Sequence, residues 1–233
     1  MDIIGIIGAM DEEVDILKEH MDIEQVIKKA CLEFNVGTIE GKKVVLVRCG
    51  IGKVNASLCT QILISEFSVS KVINTGVAGA LHDELDVLDI VISTDTMYHD
   101  FDVTVFDYEI GQIPRMETSI FEADKNLVEI AYNSSIESVK NHKILKGRIV
   151  SGDIFVSSKD LKEKLVSKLN AYATEMEGAS IGHTCYVNNV PFVIIRAMSD
   201  KADGSAHVNY NEFVNKAANN SKDIVLNMLR NIK

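Results

Sequence analysis

The chain has 233 residues, of which 46% are hydrophobic and 25% are charged, and its formal net charge is −10. These values are typical of a globular protein with a sizeable core, and the acidic balance argues against nucleic-acid binding through a general basic surface. No apolar run approaches the length of a membrane span, and the N-terminus lacks a secretory signal pattern, so we expect a cytoplasmic protein.

The cysteines and histidines do not indicate a metal site. The four cysteines are scattered without a C-x-x-C spacing, which favours buried, reduced thiols over disulfides or zinc. They are Cys31, Cys49, Cys59 and Cys185. The six histidines form neither an H-E-x-x-H motif nor another paired ligand spacing. The sequence therefore predicts a protein without a metal.

Strand and helix patterns alternate through the N-terminal part of the chain. Residues 2–10 form a near-continuous apolar run, as expected of a strand buried on both faces, and an acid-rich helix start follows at 11–17. A β-hairpin is predicted over residues 34–49, with its turn at the glycine in position 41. A helix then runs to about Phe67.

Two glycine segments fail the tests for nucleotide-binding motifs. Gly5 and Gly8 do not have the spacing of G-x-G-x-x-G, so the dinucleotide fingerprint is absent. Gly52-Lys53 is followed by Val54 instead of serine or threonine, so the P-loop pattern fails as well. We therefore expect no cofactor.

The alternation continues to the C-terminus. Strands are predicted at 69–74, 89–94, 144–151 and 191–198, and helices at 125–140, 158–169, 179–187 and from about Tyr210 onward. Residues 170–173 suggest a short irregular run. Residues 98–116 have no regular period and predict a long loop, and loops of that length in compact domains are usually functional.

This pattern predicts one α/β domain over residues 1–233, with a mixed, mostly parallel central sheet flanked by helices on both sides. Ligands in such folds bind outside the carboxyl ends of the strands. Four motifs at strand ends are expected to converge on one site: residues 8–13, 76–79, 152–156 and 199–200. The glycines at 76 and 79 would admit a ligand close to the backbone or simply form a tight turn.

Residues 174–180 form the centre of this expected site. In an extended segment, Glu175 and Glu177 would share one face and Met176 would take the other. A helix beginning near Gly178 would bring its positive end to both carboxylates and favour their ionised form. An ionised carboxylate can accept two hydrogen bonds, which suits the adjacent hydroxyls of a ribose. The alternative is that these acids only cap the helix.

Seven segments, spanning nearly the whole chain, resemble those of the 5′-methylthioadenosine/S-adenosylhomocysteine nucleosidase family, in the nucleoside phosphorylase/hydrolase superfamily. In the family's order they are GIIGAMDEEV (5–14), GIGKV (50–54), NTGVAG (74–79), YHD (98–100), SGD (151–153), EME (175–177) and RAMSD (196–200). The resemblance implies hydrolysis of the N-glycosidic bond of 5′-methylthioadenosine and S-adenosylhomocysteine, with 5′-deoxyadenosine as a further substrate. Adenine and a thioribose would be released, in methionine salvage and methyl-cycle detoxification.

By this resemblance, Asp200 is the general acid that protonates N7 of adenine, and Glu13 activates the attacking water. Glu177 would hold the 2′ and 3′ hydroxyls, with Met176 packed against the sugar. Cleavage develops positive charge on the sugar and negative charge on the base, so an acid at the base and carboxylates near the sugar are the groups required. Because an aspartate ordinarily has a pKa near 4, Asp200 needs burial or a hydrogen bond to carry a proton at neutral pH.

The resemblance also implies the residues that bind the two ends of the substrate. Phe155 and the backbone of Val156 would hold adenine, Ser199 would help to place Asp200, and Gly79 would lie beside the sugar and the water. The 5′-thio pocket would consist of Met10, Ile51 and Tyr210, together with Phe106 and Pro114 from the partner subunit of a homodimer.

Two other functions fit parts of the pattern. A purine nucleoside phosphorylase would use phosphate instead of water, but the loop at residues 11–13 is acidic and would repel phosphate. A non-catalytic adenosine-binding module would not need Glu13 and Asp200 together. Val77 stands where serine is frequent in the family, which leaves the fine substrate preference open. The sequence does not show which of four substrates is preferred: methylthioadenosine, S-adenosylhomocysteine, 5′-deoxyadenosine or 6-amino-6-deoxyfutalosine.

Overall fold

The structure, a computed structural model, describes residues 2–232. Within these residues, ten strands alternate with six helices. The strands are β1 Ile3–Gly8, β2 Asp22–Lys29, β3 Leu32–Ile39, β4 Lys42–Arg48, β5 Lys71–Ala80, β6 Ile90–Tyr98, β7 Phe121–Glu122, β8 Ile144–Ser151, β9 Ala171–Glu175 and β10 Phe192–Asp200. The helices are α1 Asp11–Lys18, α2 Lys53–Phe67, α3 Lys125–Ser138, α4 Lys159–Leu169, α5 Gly178–Val187 and α6 Ala206–Asn231.

All the described strands belong to one mixed sheet, which confirms the predicted fold class. The strand order is β10-β6-β8-β9-β5-β1-β4-β3-β2, and β7 pairs with β6. An additional pairing of β10 with β5 closes β5, β10, β6, β8 and β9 into a ring, from which β1, β4, β3 and β2 extend. Parallel pairs join β1 to β4 and β5, β5 to β10, and β8 to β6 and β9, and the other pairs are antiparallel.

The core lies between this sheet and two groups of helices. Helix α6 contacts both α1 and α3, and these three helices pack on β4, β5 and β10. Helix α2 contacts α5 and packs on β1 and β4. The long apolar runs of β1, β5 and β10 are buried almost throughout, as expected of strands covered on both faces. No helix within residues 2–232 combines the length and the apolar character needed to cross a membrane.

Several predicted boundaries differ from the structure. The strand predicted at 69–74 continues to Ala80, because β5 pairs with both β10 and β9 beyond residue 74. The run at 170–173, expected to be irregular, belongs to β9 and pairs with β8. Helix α6 begins at Ala206, a turn before the predicted start. The long loop expected at 98–116 is present between β6 and β7, at residues 99–120, with a short 3₁₀ turn at Thr104–Phe106.

No strand was predicted where β2 lies. This strand is an edge strand that pairs only with β3 among the described strands, and seven of its eight residues are exposed. Its sequence, DIEQVIKK, carries charged residues at both ends and gives no continuous apolar run. An edge strand with one partner and charged side chains is protected against pairing with other chains.

Candidate active site

A cavity of about 340 Å³ lies at or near the carboxyl ends of β1, β5, β8, β9 and β10. Eleven of the thirteen residues predicted for the site line it: Met10, Glu13, Ile51, Gly79, Phe155, Val156, Met176, Glu177, Ser199, Asp200 and Tyr210. Five separate strand ends therefore meet at one place, as the position of the motifs in the sequence predicted. The roles of the individual residues stay predictions.

Phe106 and Pro114 do not line the cavity of this single chain. Both lie in the loop between β6 and β7, where the side chain of Phe106 is 71% exposed and Pro114 is half-buried. Their predicted contribution to a neighbouring subunit's site stays a prediction.

Glu13 is buried in the first turn of α1 and faces the cavity. Its Oε2 accepts hydrogen bonds from the amides of Ala9 (2.6 Å) and Met10 (3.1 Å), and its Oε1 accepts one from the amide of Val77 (3.1 Å). Burial raises the pKa of Glu13, although Arg196 and these amides oppose the shift. A carboxylate with a raised pKa is a better proton acceptor, which is what a water-activating base requires.

Glu13 can occupy this position because β5 carries a glycine beside it. A Cβ atom at Gly76 would collide with Oε1 of Glu13. The glycine-rich end of β5 thus makes room for a carboxylate of the protein itself.

Asp200 is the last residue of β10, and it is 2% exposed. The hydroxyl of Ser199 donates to its Oδ2 at 2.9 Å, and the amide of Ala202 donates to its Oδ1 at 2.8 Å. Burial raises the pKa of Asp200 despite these two donors. The direction of the shift favours a proton on this carboxyl group, as a general acid requires.

Glu177 is the N-cap residue of α5, but its side chain makes no capping hydrogen bond there. Its Oε1 accepts a hydrogen bond from the amide of Gly52 at 2.9 Å. Burial and the neighbouring Glu175 raise the pKa of Glu177 to about 8, with Arg196 and the Gly52 amide opposing the shift. Glu175 and Glu177 do not act as a matched pair, since Glu175 is already paired with Arg196.

Glu175, which also lines the cavity, forms a buried ion pair with Arg196 that was not predicted from the sequence. Nη2 of Arg196 lies 2.5 Å from Oε2 of Glu175 and 4.0 Å from Oε2 of Glu177. The same nitrogen donates to Oδ1 of Asn74 at 2.6 Å. Glu175 also accepts hydrogen bonds from the amides of Glu177 and Gly178 at the start of α5. The one sign of this ion pair in the sequence was Arg196 itself, a charged residue in the mostly apolar strand β10.

Apolar and aromatic side chains form the outer wall of the cavity. The hydroxyl of Tyr210 donates to Sδ of Met10 at 3.0 Å, and its ring meets that of Phe155 edge to face at 5.9 Å. Burial, followed by the charge of Glu13, raises the pKa of Tyr210 to about 12. Ile51 and Phe155 are about half exposed and mark the solvent side of this wall.

The cavity has further lining residues, six of them inside the segments predicted to form the site: Ala9, Val77, Ala78, Ile154, Thr174, Glu175, His207 and Asn211. Among them, the buried hydroxyl of Thr174 has no hydrogen-bond partner within the described residues. No group of three or more His, Cys, Asp or Glu in the described part of the chain is placed to hold a metal ion.

The family model of the phosphorylase superfamily matches residues 3–230 of the chain. The protein with this sheet, these surrounding helices and this acid-lined cavity is therefore a member of that superfamily. A 5′-methylthioadenosine/S-adenosylhomocysteine nucleosidase from Staphylococcus carnosus is 45% identical over 230 residues, which is 98% of this chain and 100% of the relative. The chain belongs to this nucleosidase family, whose members are N-ribosyl hydrolases.

Solved structures of the same family match the fold closely. The nucleosidase from Neisseria meningitidis, in complex with methylthio-immucillin-A, is 39% identical and has a TM-score of 0.94, with 100% of both chains covered. The nucleosidase from Colwellia psychrerythraea, in complex with adenine, is 42% identical and has a TM-score of 0.93, with 98% of this chain and 94% of that chain covered.

Proposed function

We propose that this protein hydrolyses the N-glycosidic bond of 5′-methylthioadenosine and of S-adenosylhomocysteine, releasing adenine and the corresponding thioribose. The observation that carries the proposal is the pair of buried carboxyls, Glu13 and Asp200, in one cavity with an apolar outer wall. The family membership supports the same reaction. Methionine salvage and removal of the methyl-cycle product are the processes that such a reaction would serve.

In the proposed mechanism, Asp200 gives a proton to the departing adenine and Glu13 takes one from the attacking water. The raised pKa of Asp200 supports the acid role, because the proton must be present before the bond breaks. The three amides that hold Glu13 support the base role, since they fix the direction of its oxygens. Glu177 accepts the ribose hydroxyls with the oxygens of its carboxyl group.

The lining residues favour water over phosphate as the nucleophile. Among the described residues, the cavity is lined by four carboxyl side chains and by no lysine or arginine. Arg196 lies behind it and is already paired with Glu175. A phosphorylase has to neutralise a phosphate in this place, and the acids would oppose its entry.

The apolar wall supports a substrate with an uncharged 5′ group. Met10, Ile51 and Tyr210 supply a thioether, a branched alkyl chain and an aromatic ring, which suit a 5′-alkylthio substituent. Because Ile51 is 54% exposed, a longer and charged tail such as that of S-adenosylhomocysteine has a way to the solvent. We include 5′-deoxyadenosine as a further substrate, since it presents the same adenine and ribose.

Adenine release from 5′-methylthioadenosine, with and without inorganic phosphate, tests the proposal. We expect full activity without phosphate. Activity only with phosphate would identify a phosphorylase, and binding without turnover would identify a binding module.

We also propose a cytoplasmic homodimer. The four cysteines are free, and three of them are buried, which suits a reducing compartment. Exposed apolar side chains on α2, on α5 and in the loop after β6 support a second copy of the chain as the partner; they are Val54, Leu58, Val105, Phe106, Tyr186 and Val187.

A further inference from the structure

A polar cluster outside the cavity joins three segments that each lead into it. We call Lys53, Asp100 and Asp153 the Lys53 cluster. Lys53 is the first residue of α2, and the two aspartates follow the ends of β6 and β8 by two residues. Nζ of Lys53 lies 2.6 Å from Oδ2 of Asp100 and 3.8 Å from Oδ2 of Asp153. None of the three lines the cavity.

Backbone hydrogen bonds tie the same residues together. The amide of Lys53 donates to Oδ1 of Asp153 at 2.9 Å, and the amide of Asp153 donates to Oδ2 of Asp100 at 2.9 Å. Burial by itself would raise the pKa of Asp100, but the Lys53 and Asp153 hydrogen bonds outweigh it and the pKa is lowered. The side chains of Lys53 and Asp100 are only 25% and 13% exposed. This ion pair is therefore better shielded from solvent than an ordinary surface pair.

The cluster holds the residue that directly follows the amide contacting Glu177. Gly52, which directly precedes Lys53, donates its amide hydrogen to Oε1 of Glu177 at 2.9 Å. Its φ of 97° and ψ of 163° belong to a region that residues other than glycine rarely adopt. A glycine in this conformation has many alternatives, so the direction of its amide depends on what holds the next residue.

We propose that Lys53 is a positioning residue for ribose recognition: its bond to Asp100 fixes the Gly52 amide against Glu177, the acceptor of the ribose hydroxyls. The inference rests on the proposed function, in which Glu177 binds the sugar. Lys53 acts through Gly52 and Glu177 and does not touch the substrate. Loss of the Lys53 side chain should therefore weaken recognition of the ribose hydroxyls more than it slows the departure of the base.

The test compares two substrates in the Lys53→Met variant. We would measure kcat/KM for 5′-methylthioadenosine and for its 2′-deoxy analogue, which lacks one hydroxyl that Glu177 would accept. We expect the variant to lower kcat/KM for the riboside about tenfold or more, as for a lost hydrogen bond to a charged group. The riboside-to-deoxy ratio should fall at least about threefold, and Lys53→Arg should restore most of it.

Lys146→Met is the matched control. Lys146 is 28% exposed, bonds Glu129 at 2.6 Å and lies over the ring of Tyr132, but it is remote from Glu177 in the fold. We expect its ratio to equal that of the wild type. If Lys53→Met does not fold, Asp100→Asn carries the same test, because it removes the charge that holds Nζ.

The inference would be overturned if the folded Lys53→Met variant kept the wild-type ratio of kcat/KM for the riboside to kcat/KM for the 2′-deoxy analogue. This includes the case in which both values fall by the same factor. A wild-type protein that releases no adenine would instead overturn the proposed function. The two failures are therefore distinguishable, since the first is read from variants of an active enzyme.

Discussion

Besides Glu175, which is paired with Arg196, three buried acids line the cavity, and the hydrogen-bond donors around each give them different properties. Glu13 accepts from three backbone amides and Asp200 from one amide and one hydroxyl. Within the described residues, the one hydrogen-bond donor to the Glu177 side chain is Gly52. Glu177 thus keeps the most free acceptor positions, which a ribose with two adjacent hydroxyls would fill.

Asp200→Asn should lower the rate of adenine release by at least about 10²-fold, because an amide cannot deliver the proton that the departing base needs. Its fold should be retained, since the amide keeps the size of the side chain and removes a buried acid. Asp203→Asn is the control from the same loop, where Asp203 bonds Ser205 instead of facing the cavity. A rate within tenfold of wild type would contradict the acid role of Asp200.

Glu13→Gln should be nearly as severe, whereas Glu12→Gln should change the rate less than about threefold. Both lie in the first turn of α1, but Glu13 is buried in the cavity and Glu12 is exposed. The amide of glutamine cannot take a proton from water. Steady-state rates at saturating substrate would decide, and a greater sensitivity of Glu12 would show that the base is misassigned.

The raised pKa of Glu177 predicts a pH dependence of stability. Unfolded, its carboxyl ionises near pH 4.5, but in the empty folded site it keeps its proton until about pH 8. Between these values the folded state binds the extra proton, so its contribution to stability is complete below pH 4.5 and is lost as the pH rises through 8. From pH 5 to pH 8, wild type should therefore lose more than about 1 kcal/mol of unfolding free energy relative to Glu177→Gln.

Denaturant unfolding of the ligand-free proteins at the two pH values measures this difference. Glu12→Gln serves as the control, because it removes a carboxyl that is exposed in the same region. If the unfolding free energies of wild type and Glu177→Gln changed equally between pH 5 and pH 8, the result would contradict a raised pKa of Glu177.

At the scale of elements, β5 organises the site. It pairs with β1, β9 and β10, and residues near its carboxyl end face both proposed catalytic acids. A Cβ atom at Gly79 would lie 3.0 Å from Oδ1 of Asp200, while one at Gly76 would meet Glu13. The absence of a Cβ atom at Gly76 and at Gly79 therefore leaves room for the carboxyl groups of Glu13 and Asp200.

Gly76→Ala should lower kcat about tenfold or more by displacing the Glu13 carboxylate, and overpacking should cost about 1–3 kcal/mol of stability. Gly204→Ala is the control, because a Cβ atom there meets nothing within 4 Å. Adenine release and thermal unfolding are the measurements. A Gly76→Ala enzyme with wild-type kcat would mean that Glu13 does not need its present position.

The elements that the sequence predicted best are those with strong local patterns. The apolar runs of β1 and β10 indicated strands covered on both faces, and Ser158 indicated the start of α4, where its hydroxyl accepts from the Leu161 amide. The polar edge strand β2 and the small-residue strand β9 lacked such patterns. Their existence depends on pairing with β3 and β8, which local sequence does not reveal.

The site was predictable to a similar degree. Glycine motifs and acids at strand ends predicted which residues would meet, because carboxyl ends of strands gather in α/β folds. The pairing of Arg196 with Glu175 was not predictable, since it joins residues on different strands that become neighbours only when β9 and β10 both flank β5. Nor could the sequence reveal the pKa shifts, which arise from burial.

For the whole molecule, the ring of strands leaves one helical face with unpaired apolar side chains. Helices α2 and α5 contact each other, and Val54, Leu58 and Val187 on them are all more than half exposed. The loop after β6 adds Phe106, which is 71% exposed. Apolar surface of this kind usually marks an interface, and a symmetric pair of identical subunits is the commonest way to cover one.

We therefore predict a homodimer in which Phe106 completes the 5′-thio pocket of the partner subunit. Light scattering at micromolar concentration should give twice the mass of the 25.7 kDa chain. Phe106→Ala should raise KM for 5′-methylthioadenosine about tenfold, as expected for loss of a buried aromatic contact, and change kcat much less. Ile136→Ala, which removes a 47% exposed side chain on α3, should leave both constants unchanged. A fully active monomer would refute the shared pocket, whereas the hydrolase assignment would stand because Glu13 and Asp200 belong to one chain.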